Sequence, residues 1–379
     1  MNGARTHERQ PAVRFLRALL NDRLLLVLLV FAVLIGWREP EPLSAYPGWI
    51  DWPTILTLAG LMLLTKGIEL SGYLDHLGRV IIRNLETERL LALFLVGAAA
   101  LLAMFLTNDI ALFIVVPLTL SMRSDARLPL GRLVIFEALA VNAGSLLTPI
   151  GNPQNILLWQ KSGLSFAAFT LQMLPLAALL LAALLALTAV AFPAEPVAGS
   201  DGDQDTHWNT RMLEICALFY VAFVAAVEFG HPGWALPPVF AVMLLLYRDV
   251  LRKLDWGLLA VFMLMFIDIH LASRLGSIGD WLGRIGRLPQ WQLYLGGVLD
   301  SQVISNVPAT ILITKYAAAS KTVAYAVNAG GFGFVLGSLA NLIALRMLGE
   351  RRAWLRFHFY SVPFLVFGGA LGYLLLRYQ

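Results

Sequence analysis

Charge is scarce in this 379-residue chain. Asp, Glu, Lys and Arg make up 14% of it, where a soluble domain carries about a quarter, which excludes a globular enzyme with a fully wetted surface. Cysteine is nearly absent: Cys216 is the only one, so no intramolecular disulfide forms. Its apolar surroundings read as those of a small buried hydrophobe. The sequence has no Walker loop, no nucleophile–base pair and no His or Cys spacing suited to a transition metal. An ATP-driven pump or a membrane enzyme therefore finds no support, and nothing calls for an organic cofactor. The formal net charge of +4 needs no nucleic acid, because the basic residues gather in loops.

Hydrophobic residues make up 59% of the chain and fall in repeated stretches long enough to span a bilayer, which takes about 20 apolar residues. Nine crossings are read near residues 22–38, 52–72, 130–161, 166–192, 211–228, 234–250, 257–275, 322–347 and 356–377. The first apolar run, Leu24 to Trp37, follows a basic segment, but Arg38-Glu39-Pro40-Glu41-Pro42 follows it in place of a small-residue cleavage site. It reads as a retained first helix. Most of the 28 Lys and Arg fall in loops on one side when the N-terminus is inside and the C-terminus outside. Pro193 to Thr210 is the one clear hydrophilic linker.

Two further apolar segments are broken by polar residues: Leu90 to Met122 at Thr107-Asn108-Asp109, and Trp291 to Ala319 at Ser305-Asn306-Val307-Pro308. Their later arms hold about 13 and 11 residues, short of a span at roughly 1.5 Å per residue. Re-entrant helical hairpins are expected there, with polar tips buried in protein or lining a wet cavity.

The two halves share an order of motifs. Asp51-Trp52 and Asp255-Trp256 open corresponding helices, and Leu77-Gly78-Arg79 matches Leu282-Gly283-Arg284. Ala140-Val141-Asn142-Ala143-Gly144 matches Ala326-Val327-Asn328-Ala329-Gly330, and Asn155-Ile156-Leu157 matches Asn341-Leu342-Ile343, both at an offset of 186 residues. An odd number of crossings separates the halves, so the expected architecture is an all-α polytopic membrane protein of two inverted repeats. Each repeat holds a re-entrant hairpin and a broken transmembrane helix. The expected division is an N-terminal segment and first helix at 1–44, a first repeat at 45–192 and a cytoplasmic linker at 193–210. Two connecting helices follow at 211–254, and the second repeat at 255–379.

The first broken helix carries Pro149, Pro153, Gly144 and Gly151, and prolines remove backbone donors and clash with the preceding turn. Freed backbone groups in lipid need partners, which Asn, Ser and Thr side chains or a bound ion supply. Carbonyls and hydroxyls suit Na⁺, and half-helix N-termini suit an anionic group. Candidates from the first break are Asn142, Ser145, Thr148, Gly151, Asn152 and Asn155, and from the second Asn328, Gly337, Ser338 and Asn341. The alternative is a kinked, glycine-packed helix pair without a ligand.

At the first tip, Asp109 either ligates a cation or proton, or caps a helix starting at Ile110. Asp268 and His270, with Lys66 and Glu69 at a similar place in the first half, form either a proton relay or an ion pair locking the two units together. Glu137, Asp300 and Glu228 are left open between buried and interfacial positions.

TNDIALFIVVPLTL (107–120), NAGSLLTPIGNPQNI (142–156), SQVISNVPATILI (301–313) and NAGGFGFVLGSLANLIAL (328–345) resemble the ion transporter superfamily. Its members include arsenite permeases, NhaD-type antiporters, citrate transporters and divalent anion–sodium symporters; the likeness covers about residues 45–379. Within it the chain is most similar to the YbiR group of bacterial inner-membrane proteins. In the symporters, Ser-Asn-Thr at each tip binds sodium and substrate carboxylate. Carried over, this implies Thr107, Asn108, Ser305 and Asn306, with Gly151, Asn152 and Gly337 from the loops. The third tip residue here is Asp109 or Val307, not Thr, which removes two hydroxyls and is closer to the permease and antiporter branches. The resemblance also implies a homodimer with an elevator-like transport part.

The expected function is ion-coupled (Na⁺ or H⁺) secondary transport of a small anionic solute across the bacterial inner membrane. Na⁺/H⁺ antiport or metalloid extrusion is the alternative within transport. An ion channel or a non-transporting receptor is the alternative from another class.

Overall fold

Apolar runs of this length leave the backbone no partners but its own, and the chain answers with helices. A computed structural model describes residues 23–38, 40–82, 85–120, 122, 128–196, 208–350 and 352–378. The basic segment before residue 23, linker residues 197–207, and Arg83, Arg123, Arg127 and Arg351 lie outside the described residues.

Before the linker run α1 (Arg23–Arg38), α2 (Trp52–Leu70), α3 (Tyr73–Ile82), α4 (Glu88–Phe105), α5 (Asn108–Leu120), α6 (Leu130–Ser145), α7 (Pro153–Ser162) and α8 (Phe166–Ala191). After it come α9 (Thr210–Glu228), α10 (Pro232–Leu246), α11 (Arg248–Lys253), α12 (Trp256–Ala272) and α13 (Gly276–Leu282). The last are α14 (Gln290–Ile304), α15 (Asn306–Tyr316), α16 (Lys321–Ala329), α17 (Leu339–Leu348) and α18 (Ala353–Arg377). Five of them, α2, α4, α8, α9 and α18, are long and apolar enough to cross a membrane. Large apolar side chains point outward, among them Val27, Val30, Leu218, Val221, Phe359 and Val366. Such a surface suits lipid and not water.

The Asp-Trp pairs have a local meaning. Asp51 accepts from the Thr54 N–H and Asp255 from the Leu258 N–H, each capping its helix. The following indoles donate five residues back, Trp52 Nε1–H to the Pro47 carbonyl at 2.9 Å and Trp256 Nε1–H to the Leu251 carbonyl at 2.8 Å.

The expected spans 130–161 and 322–347 each arrive as two helices, α6 and α7, and α16 and α17. Both second pieces stop on a left-handed glycine, Gly163 (φ 68°) and Gly349 (φ 69°), again 186 residues apart. Among the described residues a small second cluster holds Ala32, Ile35 and Leu271, and the main core is a large apolar cluster spanning both halves. Within it α4 packs along α6 and α14 along α16. The two short arms cross over: α5 packs on α17, and α15 packs on α7. Those contacts set the site.

Candidate functional site

All fifteen polar-tip and broken-helix candidates are buried. At the first tip, α4 ends at Phe105 and α5 begins at Asn108, leaving a two-residue break. Asn108 Oδ1 accepts from the Asp109 N–H at 3.1 Å, and the Asn108 N–H donates to the Gly151 carbonyl at 3.0 Å. The tip is thereby tied to the first broken loop. Asp109 does not cap a helix starting at Ile110. The helix starts two residues earlier and Asp109 lies inside its first turn, because Asn108 already supplies the side-chain acceptor.

The second tip is a single residue. Ser305 joins α14 to α15 at φ 75°, ψ 153°, and among the described residues it is the only non-glycine with positive φ. That region is essentially reserved for glycine. The Ser305 hydroxyl is buried without a hydrogen-bond partner.

The broken loops meet through asparagines. Asn142 Nδ2–H donates to Asn341 Oδ1 at 2.7 Å, and Asn328 Nδ2–H donates to Asn155 Oδ1 at 2.7 Å. Both donors also reach back four residues, to the Ala138 and Ala324 carbonyls. Both acceptors use their own amides on a carbonyl ten residues back, Asn155 on Ser145 and Asn341 on Gly331. Asn152 Nδ2–H bridges Ser145 Oγ (3.2 Å) and Asn328 Oδ1 (3.1 Å), while its Oδ1 caps α7 at the Asn155 N–H. Thr148 donates to the Met104 carbonyl at the end of α4. Ser338, at the position matching Asn152, has the same extended backbone but makes no side-chain cap.

Glycines permit this closeness. A Cβ on Gly151 would stand 2.2 Å from the Ser145 carbonyl oxygen, and one on Gly337 would stand 2.8 Å from that of Gly330. A Cβ on Gly331 would lie 3.1 Å from Asn306 Nδ2 and 3.4 Å from Asn142 Oδ1, so the second tip also approaches the asparagines. The N-terminal ends of α5, α7, α15 and α17 gather around a cluster of neutral amides, whose hydrogen bonds hold no charged side chain.

The four relay candidates do not form one chain. Lys66 Nζ pairs with Glu69 at 2.8 Å within α2, so this ion pair does not lock the two units together. Lys66 also lies 5.5 Å from the Phe113 ring centroid. His270 stacks on Trp49 with centroids 4.3 Å apart. Asp268 is buried and neither carboxylate oxygen has a partner. Glu137 is fully buried and accepts from the Thr119 hydroxyl, with its other oxygen unpartnered. Glu228 accepts from the Phe166 N–H at 2.7 Å, and Asp300 is half-buried.

Two glutamines escaped the sequence reading. Gln154 Nε2 lies 3.5 Å from Asn328 Oδ1. Gln302 donates to the Gly330 carbonyl at 2.6 Å and accepts from the Phe334 N–H at 2.8 Å, stitching α14 to the second loop. Both stand inside the quoted motifs, so their position beside the nominated residues was the available signal.

Known proteins resemble this chain over most of its length. A family model described as citrate transporter matches residues 21–325. The chain is 51% identical to the inner membrane protein YbiR of Escherichia coli K12, over 96% of this chain and 97% of that one. It is 31% identical to the uncharacterized transporter MJ0456 of Methanocaldococcus jannaschii, over 79% of this chain and 81% of that one. It is also 31% identical to the silicon efflux transporter LSI3 of Oryza sativa subsp. japonica, over 33% of this chain and 26% of that one. With a helical fold rich in membrane-length apolar segments and a family match across most of its length, the chain belongs to the citrate transporter family of membrane transport proteins.

Proposed function

We propose that the protein is an ion-coupled secondary transporter of a small anionic solute, driven by Na⁺ or H⁺, in the bacterial inner membrane. Residues 45–192 and 255–379 act as two inverted repeats, each with a re-entrant hairpin (α4–α5 and α14–α15). The N-terminus is cytoplasmic and the C-terminus periplasmic, and two copies associate as a dimer. The observation that carries this reading is the crossed pair of asparagine bonds, Asn142 to Asn341 and Asn328 to Asn155. The broken helix of each repeat is bonded, side chain to side chain, to that of the other, as expected of a site at a repeat interface.

The solute binds where the tips at Thr107–Asp109 and Ser305–Pro308 face the loops. Four helix N-termini there supply partial positive charge without a lysine or arginine. Neutral amides and hydroxyls hold an anion loosely enough to release it. A second reading, efflux of an uncharged or weakly acidic oxyanion, is favoured by Asp109. Its buried carboxylate makes no hydrogen bond or ion pair with any described residue and repels a full anion. The similarity to a protein named silicon efflux transporter points the same way.

Charge movement by purified protein in proteoliposomes tests the reading. Na⁺, pH, and citrate or arsenite are stepped separately, with Asn108→Ala and Asn306→Ala beside wild type. Solute-dependent currents that need Na⁺ or H⁺ and vanish in both variants are expected. Full activity in both folded variants rejects the site.

A further inference from the structure

A second polar spot lies away from the asparagines. A cavity of about 460 Å³ opens between α1, α12, α14, α15 and α17, with Leu28, Met265, Leu312 and Leu342 typical of its walls. Among the described residues, its polar side chains are three: Asp268, Ser305 and Ser338. All three are more than nine-tenths buried. Neither oxygen of Asp268 nor the hydroxyl of Ser305 has a hydrogen-bond partner.

An ionised carboxylate left unpaired in such surroundings is strongly disfavoured, and Asp268 contributes no structural bond in return. Charged and titratable neighbours on the packed elements are engaged elsewhere or unbonded to it. His270 stacks on Trp49, Lys66 pairs with Glu69, and Lys315 donates to Ser273 Oγ at 2.5 Å. Tyr46 packs on Trp49, Arg38 is exposed at the end of α1, and Tyr316 ends α15. Asp280 on α13 is exposed, Asp300 on α14 is half-buried, and Arg346 on α17 makes no bond to Asp268. Two hydroxyls and one carboxyl in an otherwise apolar lining fall short of the oxygen shell a metal cation needs. A proton needs only the carboxylate.

We propose that Asp268 is a proton-binding carboxyl in a cavity that shares the wall residues Ser305 and Ser338 with the solute site but none of its asparagines. The second tip (Val303, Ile304, Ser305, Pro308) and the second half-helix (Ser338, Leu339, Leu342) form the wall that senses its charge. The residue binds H⁺ as a neutral acid and releases it as a carboxylate, with no other bond changed. Its use in coupling rests on the transport reading above; the binding itself does not.

Labelling with dicyclohexylcarbodiimide tests it without a known solute. The acid's proton passes to a carbodiimide nitrogen, the carboxylate oxygen bonds the central carbon, and the adduct rearranges to a stable N-acylurea that peptide mass spectrometry locates. Labelling of Asp268 that falls at least tenfold from mildly acidic to alkaline pH and ignores Na⁺ is the expected result. A pH-step current lost in Asp268→Asn and kept in Asp268→Glu completes it. Asp268 unlabelled at every pH while another buried acid reacts, or labelling blocked by Na⁺ at constant pH, overturns the proposal. Asn328→Ala separates the two readings: loss of solute current with Asp268 labelling intact supports both. Retained solute current with that labelling overturns the solute site alone.

Discussion

The side-chain amide of Asn142 donates to Asn341 across 199 residues of sequence, at 2.7 Å and fully inside the protein. The counterpart bond from Asn328 to Asn155 has the same length and spans 173 residues. Two half-helices that end inside an apolar core leave backbone groups open. Asparagines of the same half close several of them, as Asn155 does for the Ser145, Leu146 and Thr148 carbonyls, and side-chain bonds then join the halves.

Loss of either donor should therefore weaken the whole protein. Asn142→Ala and Asn328→Ala each strand a buried carbonyl oxygen, at a cost of about 1–3 kcal/mol. Because Asn328 also accepts from Asn152, its replacement should lower the melting temperature more. A double-mutant cycle of Asn142→Ala with Asn341→Ala, read by thermal unfolding in detergent, should give a coupling of about 0.5–3 kcal/mol. Additivity would show that the bond carries no energy.

The glycines separate close approach from backbone freedom. Gly151→Ala drives a methyl into the Ser145 carbonyl oxygen and should greatly reduce the yield of folded protein. Gly163→Ala and Gly349→Ala meet open space and lose only the left-handed preference, about 1 kcal/mol each. Size-exclusion profiles of the three variants decide this. Equal behaviour would contradict it.

Ser305 separates strain from chemistry. Ser305→Gly relieves the positive φ and should raise stability by about 1–3 kcal/mol, while Ser305→Ala keeps the strain. The hydroxyl is unpartnered in the fold, so its removal leaves no broken bond. If the hydroxyl serves a ligand, both variants should lose solute-dependent current. A Ser305→Gly protein melting below Ser305→Ala would refute the strain argument.

Lys66 and Glu69 form an ion pair within one helix, 15% and 19% exposed. Lys66→Met or Glu69→Met alone leaves a charge in apolar surroundings and should destabilise by up to about 3 kcal/mol. Lys66→Met with Glu69→Met should recover most of that loss and keep proton-dependent currents. Abolished currents in the stable double variant would restore the pair to a relay.

Part of this was legible in the residues and part was not. The two breaks were, since Pro149, Pro153 and the paired glycines act on their own turns. The partner of each asparagine was not, because hydrogen bonding across the halves depends on α5 lying on α17 and α15 on α7. The helix start at Asn108 was missed through an adjacent cap of equal chemistry, and Gly163 and Gly349 through lying beyond the quoted motifs. Gln154 and Gln302 were read as part of the motif backdrop.

Apolar length and the spacing of helix breakers are properties of a line, and the sequence alone decided the membrane class and the positions of the interruptions. Which buried acid is left unpaired is a property of a volume. Asp268, Lys66 and Glu69 look alike along the chain, as polar residues within apolar helices. Helix spacing along the chain already sets Lys66 beside Glu69, three residues on, whereas only packing left Asp268 facing a cavity with no partner.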